Sequence, residues 1–218
     1  MNVSREEMLR YLGSRGFVPD ERTSARMDAA IAVVRAVSAP RRIFRRLPLS
    51  ALPLEGKDVY AHLDGCKEAY LFAATLGTGP EREEEKAFAG GDSLGAVLTD
   101  TAASCLIESY CDEECEKLAE SEDVTLTTRF SCGYGDWPLE RQTDILRLLD
   151  AQRRIGLYVS DGGMMIPRKS VTAVMGVLAD GYSALSAKAH TADKCAKCAA
   201  LSCPYRKAPA RYGGSDNG

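Results

Sequence analysis

The residues best suited to hold a small charged molecule fall in one short stretch, Arg129-Phe130-Ser131-Cys132-Gly133-Tyr134-Gly135-Asp136-Trp137-Pro138. An arginine offers a planar fork of donors to a carboxylate or phosphate. Two glycines permit positive backbone φ and let a ligand approach the main chain closely. The stretch also carries the only tryptophan of the chain. Backbone freedom and recognition side chains coincide, so a ligand is expected here, with Trp137 touching the ligand, a partner or the core.

A second set of reactive side chains lies near the carboxy terminus, where Cys195, Cys198 and Cys203 follow a Cys-x2-Cys-x4-Cys spacing with His190 upstream. Three thiols so placed can close on one zinc or an iron-sulfur cluster, with His190 or a more distant cysteine as fourth ligand. A redox thiol group and a small apolar core are the other readings. Glu108 is the third feature of note. It sits inside an apolar helical stripe, and a carboxylate there needs a partner, either an arginine of the fold or the cation of a ligand.

Weaker signals favour structure over chemistry. Cys111 and Cys115 are four apart on a helix that also carries Cys105, which reads more simply as cysteine used as a small core residue. Arg41, Arg42, Arg45 and Arg46 could meet a phosphate, but a solvated edge strand or helix end is the plainer reading. Gly77-x-Gly79 follows an apolar run, yet Pro80 and the charges from Glu81 to Lys86 replace the apolar start of a nucleotide-binding helix, so a simple turn is expected. The chain has two histidines. His62 is read as a hydrogen-bonded structural residue, and with so few histidines no catalytic triad is expected.

The positioning elements follow from periodicity. Ser4-Arg-Glu-Glu7 has the form of a capping box ahead of a short helix. Met27, Ile31 and Val34 place a helix over 20–37. Leu94, Val97, Leu98, Ala102, Cys105, Leu106 and Tyr110 predict a long central helix from about Asp92 to Glu120. The run from Val124 to Phe130 alternates and is rich in β-branched residues, so it reads as a strand that delivers Arg129 to the glycine turn. Ile145, Leu146, Leu148 and Leu149 mark the helix that follows.

The totals bound the function. In 218 residues, 45% are hydrophobic and 27% charged, which suits a globular chain with one core or two small ones. A net charge of −3 offers no global attraction for nucleic acid or an anionic membrane. No apolar run is long enough to span a bilayer, and the amino terminus lacks the layout of a signal peptide. A cytoplasmic protein is expected, whose eight cysteines are buried or ligating rather than disulfide-bonded.

Taken in order, Arg129-Phe-Ser-Cys-Gly133-Tyr134, the following helix, Ile155-Gly156, and Met165-Ile-Pro167-Arg-Lys-Ser170-Val171 resemble the reactivation domain of cobalamin-dependent methionine synthase. The resemblance covers about residues 90 to 180 and extends to free-standing forms of that domain. It implies S-adenosylmethionine binding, with Arg129 and nearby main-chain groups holding the ligand, Ser131 contributing backbone, Gly133 and Tyr134 shaping the turn, and Glu108 facing the cationic part of the ligand. It implies a place in methionine biosynthesis: reductive remethylation of a cobalamin carried by a partner methyltransferase module, with an electron donor such as flavodoxin or ferredoxin. A non-catalytic adaptor or sensor for a corrinoid protein, with a metal- or cluster-binding tail, is the alternative. Phe130 and Cys132 stand where the family has prolines, and the Cys-rich tail has no counterpart in the synthase domain.

The expected architecture is a single α+β domain over residues 1–186, helical over 1–50, followed by a Cys-rich appendage over 187–206 and a disordered tail over 207–218. Its antiparallel sheet is expected from Glu68 to Leu76, Val124 to Phe130, Leu157 to Ser160 and Lys169 to Leu178, with helices packed on one face.

Overall fold

The computed structural model describes residues 1, 3–14 and 16–178. The appendage and the tail, with Cys195, Cys198 and Cys203, lie outside the described residues.

Two capped helices open the chain. In α1 (Arg5–Tyr11) the Ser4 hydroxyl accepts from the Glu7 amide at 3.1 Å. In α2 (Glu21–Val37) the Asp20 carboxylate accepts from Thr23 at 2.7 Å. Each cap satisfies one of the amides a helix start leaves unpaired. The remaining elements are β1 (Arg41–Pro48), α3 (Lys57–His62), β2 (Glu68–Thr75), α4 (Gly79–Ala89), α5 (Ser93–Ser121), β3 (Thr125–Leu126), α6 (Arg141–Leu149), α7 (Ala151–Ile155), β4 (Tyr158–Val159), β5 (Met165–Ile166) and β6 (Ser170–Leu178).

The main sheet is antiparallel throughout, in the order β1-β2-β6-β3. Alternation along β2 sorts its side chains to two sides. Tyr70, Phe72 and Ala74 join Met27, Val34, Leu98 and Leu106 from the long helices and Met8 from α1. Leu71 and Ala73 join Val59, Trp137, Ile145, Leu149 and Leu157 from the shorter elements. The α+β class, the antiparallel sheet and the packed helices stand as expected. Long helices cover one face as anticipated, and a second core under α3, α6 and α7 fills the other. Trp137, 1% exposed, anchors that second core.

Two local expectations are corrected. Residues 157–160 do not extend the main sheet: β4 pairs only with β5, in a separate two-stranded ribbon. The charge run after Pro80 is helix α4, because proline sits in its first turn with Glu81 and the acidic side chains complement the helix start. Gly79 is required there, since a Cβ would lie 2.0 Å from the Val37 carbonyl oxygen. The arginine cluster forms the exposed edge strand β1, as its plainer reading held. Arg46 pairs with Glu68 at 2.7 Å, Arg45 donates to the Leu148 carbonyl at 2.6 Å, and Arg42 meets the buried Glu114. Among the described residues no helix is long and apolar enough to cross a membrane.

Candidate functional site

The central helix carries polar residues at a strict four-residue interval: Asp100, Ser104, Glu108 and Asp112. Residues four apart on a helix are neighbours on one face, so these form a slowly winding polar stripe along it. Two cations from elsewhere in the chain reach it. Arg129 donates from Nη2 to Glu108 Oε2 at 2.7 Å and from Nη1 to Asp112 Oδ1 at 2.8 Å. Lys169 places Nζ 2.8 Å from Ser104 Oγ and 2.6 Å from Asp100 Oδ1. The cations are largely covered, at 17% and 14% side-chain exposure, whereas Glu108 and Asp112 remain open to solvent at 41% and 62%.

Electrostatics keep Arg129 charged. Burial opposes the charge, but Cys111, Asp112, Glu108 and Cys115 around it more than offset this and raise the guanidinium above its ordinary range. On α1, burial first and the Glu108 carboxylate second push the Tyr11 phenol up. The first helix therefore borders the same polar patch.

Arg129 is held in place by its neighbours. Phe130 bridges Val174 of β6, exchanging bonds of 3.0 and 2.8 Å, and its ring stacks on Trp137 with centroids 6.1 Å apart. His62 supports the preceding residues, with Nε2 lying 2.7 Å from the Thr128 carbonyl and 3.0 Å from the Thr127 hydroxyl. The structural reading of that histidine agrees with these contacts.

After Phe130 the chain turns tightly. Gly133 donates to the Trp137 carbonyl at 2.8 Å, and Tyr134 donates to the Ser131 carbonyl at 3.3 Å. Gly133 has φ +84°, as the glycine-turn reading requires. Asp136 fixes the far side of the turn by accepting the Lys57 and Asp58 amides at the start of α3, at 2.6 and 2.9 Å. Gly135 is needed for this docking, since a Cβ there would lie 2.1 Å from Asp58 Oδ2. Tyr134 is 67% exposed beside the turn.

The structure thus brings Arg129 and Glu108 into contact and sets Ser131, Gly133 and Tyr134 on the adjoining turn. Trp137 is core, with its indole N–H donating to the Pro53 carbonyl at 3.2 Å. Sequence reasoning missed Asp112, Lys169, Asp100 and Ser104, although the four-residue polar repeat was a usable signal. Cys105, Cys111 and Cys132 are buried. Burial pushes the Cys105 and Cys132 thiols up to about 12. Among the described residues no group of three or more histidine, cysteine or acidic side chains is placed to hold a metal.

No family model matches the chain, and no curated protein matches it in sequence. In fold, 82% of the chain matches 75% of a chain described as the crystal structure of the MetH reactivation domain bound to AdoHcy, with a TM-score of 0.57 and 13% identity. That likeness establishes a shared architecture.

Proposed function

We propose that the chain binds S-adenosylmethionine at Arg129 and Glu108 and supports the reductive remethylation of a corrinoid carried by a partner methionine synthase module. The observation that carries this reading is the pairing of a largely covered arginine with two solvent-facing carboxylates of the central helix, beside a glycine turn. It occurs on a fold shared with a domain that binds AdoHcy.

The residues fit such a ligand chemically. Its amino acid end bears a carboxylate and an ammonium, which suit the Arg129 fork and the Glu108 carboxylate in charge-assisted hydrogen bonds. Glu108 and Asp112 against Arg129 leave one net negative charge, matching the single net positive charge of the sulfonium ligand. Ser131 offers main-chain groups, and the Gly133 turn brings them close to Arg129.

Arg129, Glu108 and the main chain near Ser131 would hold S-adenosylmethionine, which would supply a methyl group to a cobalt(I) corrinoid and leave S-adenosylhomocysteine, a donor such as flavodoxin or ferredoxin having supplied the one electron that takes cobalt(II) to cobalt(I). The protein's part is to orient and to exclude water, not to move protons.

Calorimetry of the full chain with S-adenosylmethionine tests the reading. Wild type is expected to bind and Arg129→Ala to lose binding while keeping its fold by circular dichroism. Absence of binding to wild type ends the reading. Binding without methylation of an added cobalt(II) corrinoid protein and reductant marks an adaptor instead.

A further inference from the structure

Where α2, α4 and α5 meet, the packing leaves a cavity of about 370 Å³. Its cause is residue size. Met27, Ile31 and Val34 of α2 share the core with Leu98 and Leu106 of α5, whereas Ala30 and Val33 of α2, Ala87 of α4 and Gly95 of α5 line the cavity with groups too short to fill it. A larger residue at Gly95 is barred, since a Cβ there would collide with the Asp92 carboxylate that caps α5. Three helices therefore meet without closing.

One buried polar side chain lines this cavity, that of Thr99, which is 7% exposed. Its hydroxyl differs from its neighbours. On the same helix Thr101 and Ser104 return theirs to the carbonyls of Val97 and Asp100, at 2.8 and 3.0 Å, the usual local bond of a helical hydroxyl. Thr99 makes no such bond to Gly95, and among the described residues no hydrogen bond reaches its hydroxyl. Buried polar groups are normally paired, so a hydroxyl left over beside a cavity calls for a guest that pairs with it.

The charged residues of the lining are turned to solvent and matched in sign. Arg26 meets Asp92, and Lys86 Nζ lies 3.6 Å from Glu83 Oε2, so the mouth carries no net charge. It selects neither anions nor cations. A charge carried inward would meet alkyl groups and one hydroxyl, which cannot replace its lost hydration. The space equals about twelve waters at their liquid share of about 30 Å³ each, room for a guest of about nine or ten non-hydrogen atoms. Apolar walls with a single orienting polar group are the usual make-up of a small-molecule site.

We propose that this cavity binds a small neutral alcohol or phenol, whose hydroxyl pairs with Thr99 while its apolar body lies against Ala30, Val33 and Ala87. A hydroxyl suits the position because it can donate to Thr99 or accept from it. The site is separate from the one at Arg129. Thr99 lies about 14 Å along α5 from Glu108, and the cavity shares no residue with Arg129, Glu108 or the glycine turn. The inference therefore stands whether or not S-adenosylmethionine binds.

4-Ethylphenol has the required size and is the probe, titrated into the full chain and followed by amide NMR. The amides of Ala30, Ala87 and Thr99 are expected to shift and saturate, while those of Glu108 and Gly133 stay still. Thr99→Val keeps the shape and removes the hydroxyl, so binding is expected to weaken about two- to tenfold, the range of one hydrogen bond. Ala29→Leu, at an exposed position of the lining, fills the cavity from the surface and is expected to abolish the shifts. 4-Ethylbenzoate, with a charge in place of the hydroxyl, is expected not to bind. Shifts that fail to saturate, or that persist unchanged in Ala29→Leu, overturn the proposal and leave a cavity that holds only water. Undiminished affinity in Thr99→Val, or equal binding of 4-ethylbenzoate, overturns the pairing with Thr99 and the ligand class with it. Should Thr99→Val fail to fold, Ala29→Leu and the benzoate comparison still decide.

Discussion

Arg129 Nη2 lies 2.7 Å from Glu108 Oε2, joining the residue that opens the glycine turn to the middle of the central helix. Glu108→Gln keeps the shape and removes the charge. Since a charged hydrogen bond contributes about 1.5–3 kcal/mol, S-adenosylmethionine affinity is expected to fall roughly tenfold to a hundredfold. Stability should change by no more than about 1 kcal/mol, as Glu108 is substantially exposed. Paired calorimetry and urea titrations measure both, and an unchanged affinity would remove Glu108 from the site.

Trp137 should behave as a core residue. Trp137→Ala removes a ring that is 1% exposed and stacked on Phe130, so a loss of about 3–5 kcal/mol is expected by chemical denaturation. Trp137→Phe keeps most of the packing and loses the bond to Pro53, at about 1 kcal/mol. Ligand affinity of the folded Trp137→Phe variant should match wild type.

Asp136 links the turn to α3 in a pH-dependent way. The amides of Asp58 and then Lys57 hold its carboxyl below the ordinary 3.8. A depressed carboxylate stabilises the fold above its unfolded value, and that contribution is lost as pH falls through the lower folded value. Wild type should therefore melt above Asp136→Ala at pH 7, with the gap closing in acid below about pH 4. A gap that persists at pH 2 would mean packing, not charge, is responsible.

The buried cysteines should be inert. Burial raises Cys105 and Cys132 from 9.0 to about 12 and raises Cys111 as well, leaving little of the reactive thiolate at pH 8. Iodoacetamide followed by peptide mass mapping should leave all three unmodified in the native protein and modify them in urea. These thiols hold protons that the unfolded chain releases, so stability should also decline as pH rises above about 9.

Much of this arrangement was legible in the chain. The helix from about residue 92 declared itself by its apolar repeat, the strand from Glu68 by its unbroken hydrophobic run, and Arg129 by its place before a glycine turn. Glu108 drew attention because a carboxylate in an apolar stripe requires a partner. What stayed hidden depends on pairing between distant residues. Edge strand β1 shows four arginines, of which Arg46, Arg42 and Arg45 meet Glu68, Glu114 and a carbonyl on α6, none of which adjoins it in sequence. Tyr158 and Val159 have strand character, but only three dimensions reveal that they pair with Met165 and Ile166 alone. Lys169 and Asp112 likewise acquire meaning only once β6 and the turn are laid along α5.

The division of the molecule into two cores gives the Arg129 ion pairs a mechanical meaning. Phe130, Cys132 and Trp137 belong to the layer beneath the sheet, whereas α5 belongs to the layer above it. Arg129 is thus a rivet at the rim of the sheet, clamping one layer to the other through Glu108 and Asp112. A molecule that replaces one of these carboxylates becomes part of the link between the layers. Occupancy then strengthens the whole sandwich and not merely a loop, so slow hydrogen exchange should spread on loading into α5 and α6 together.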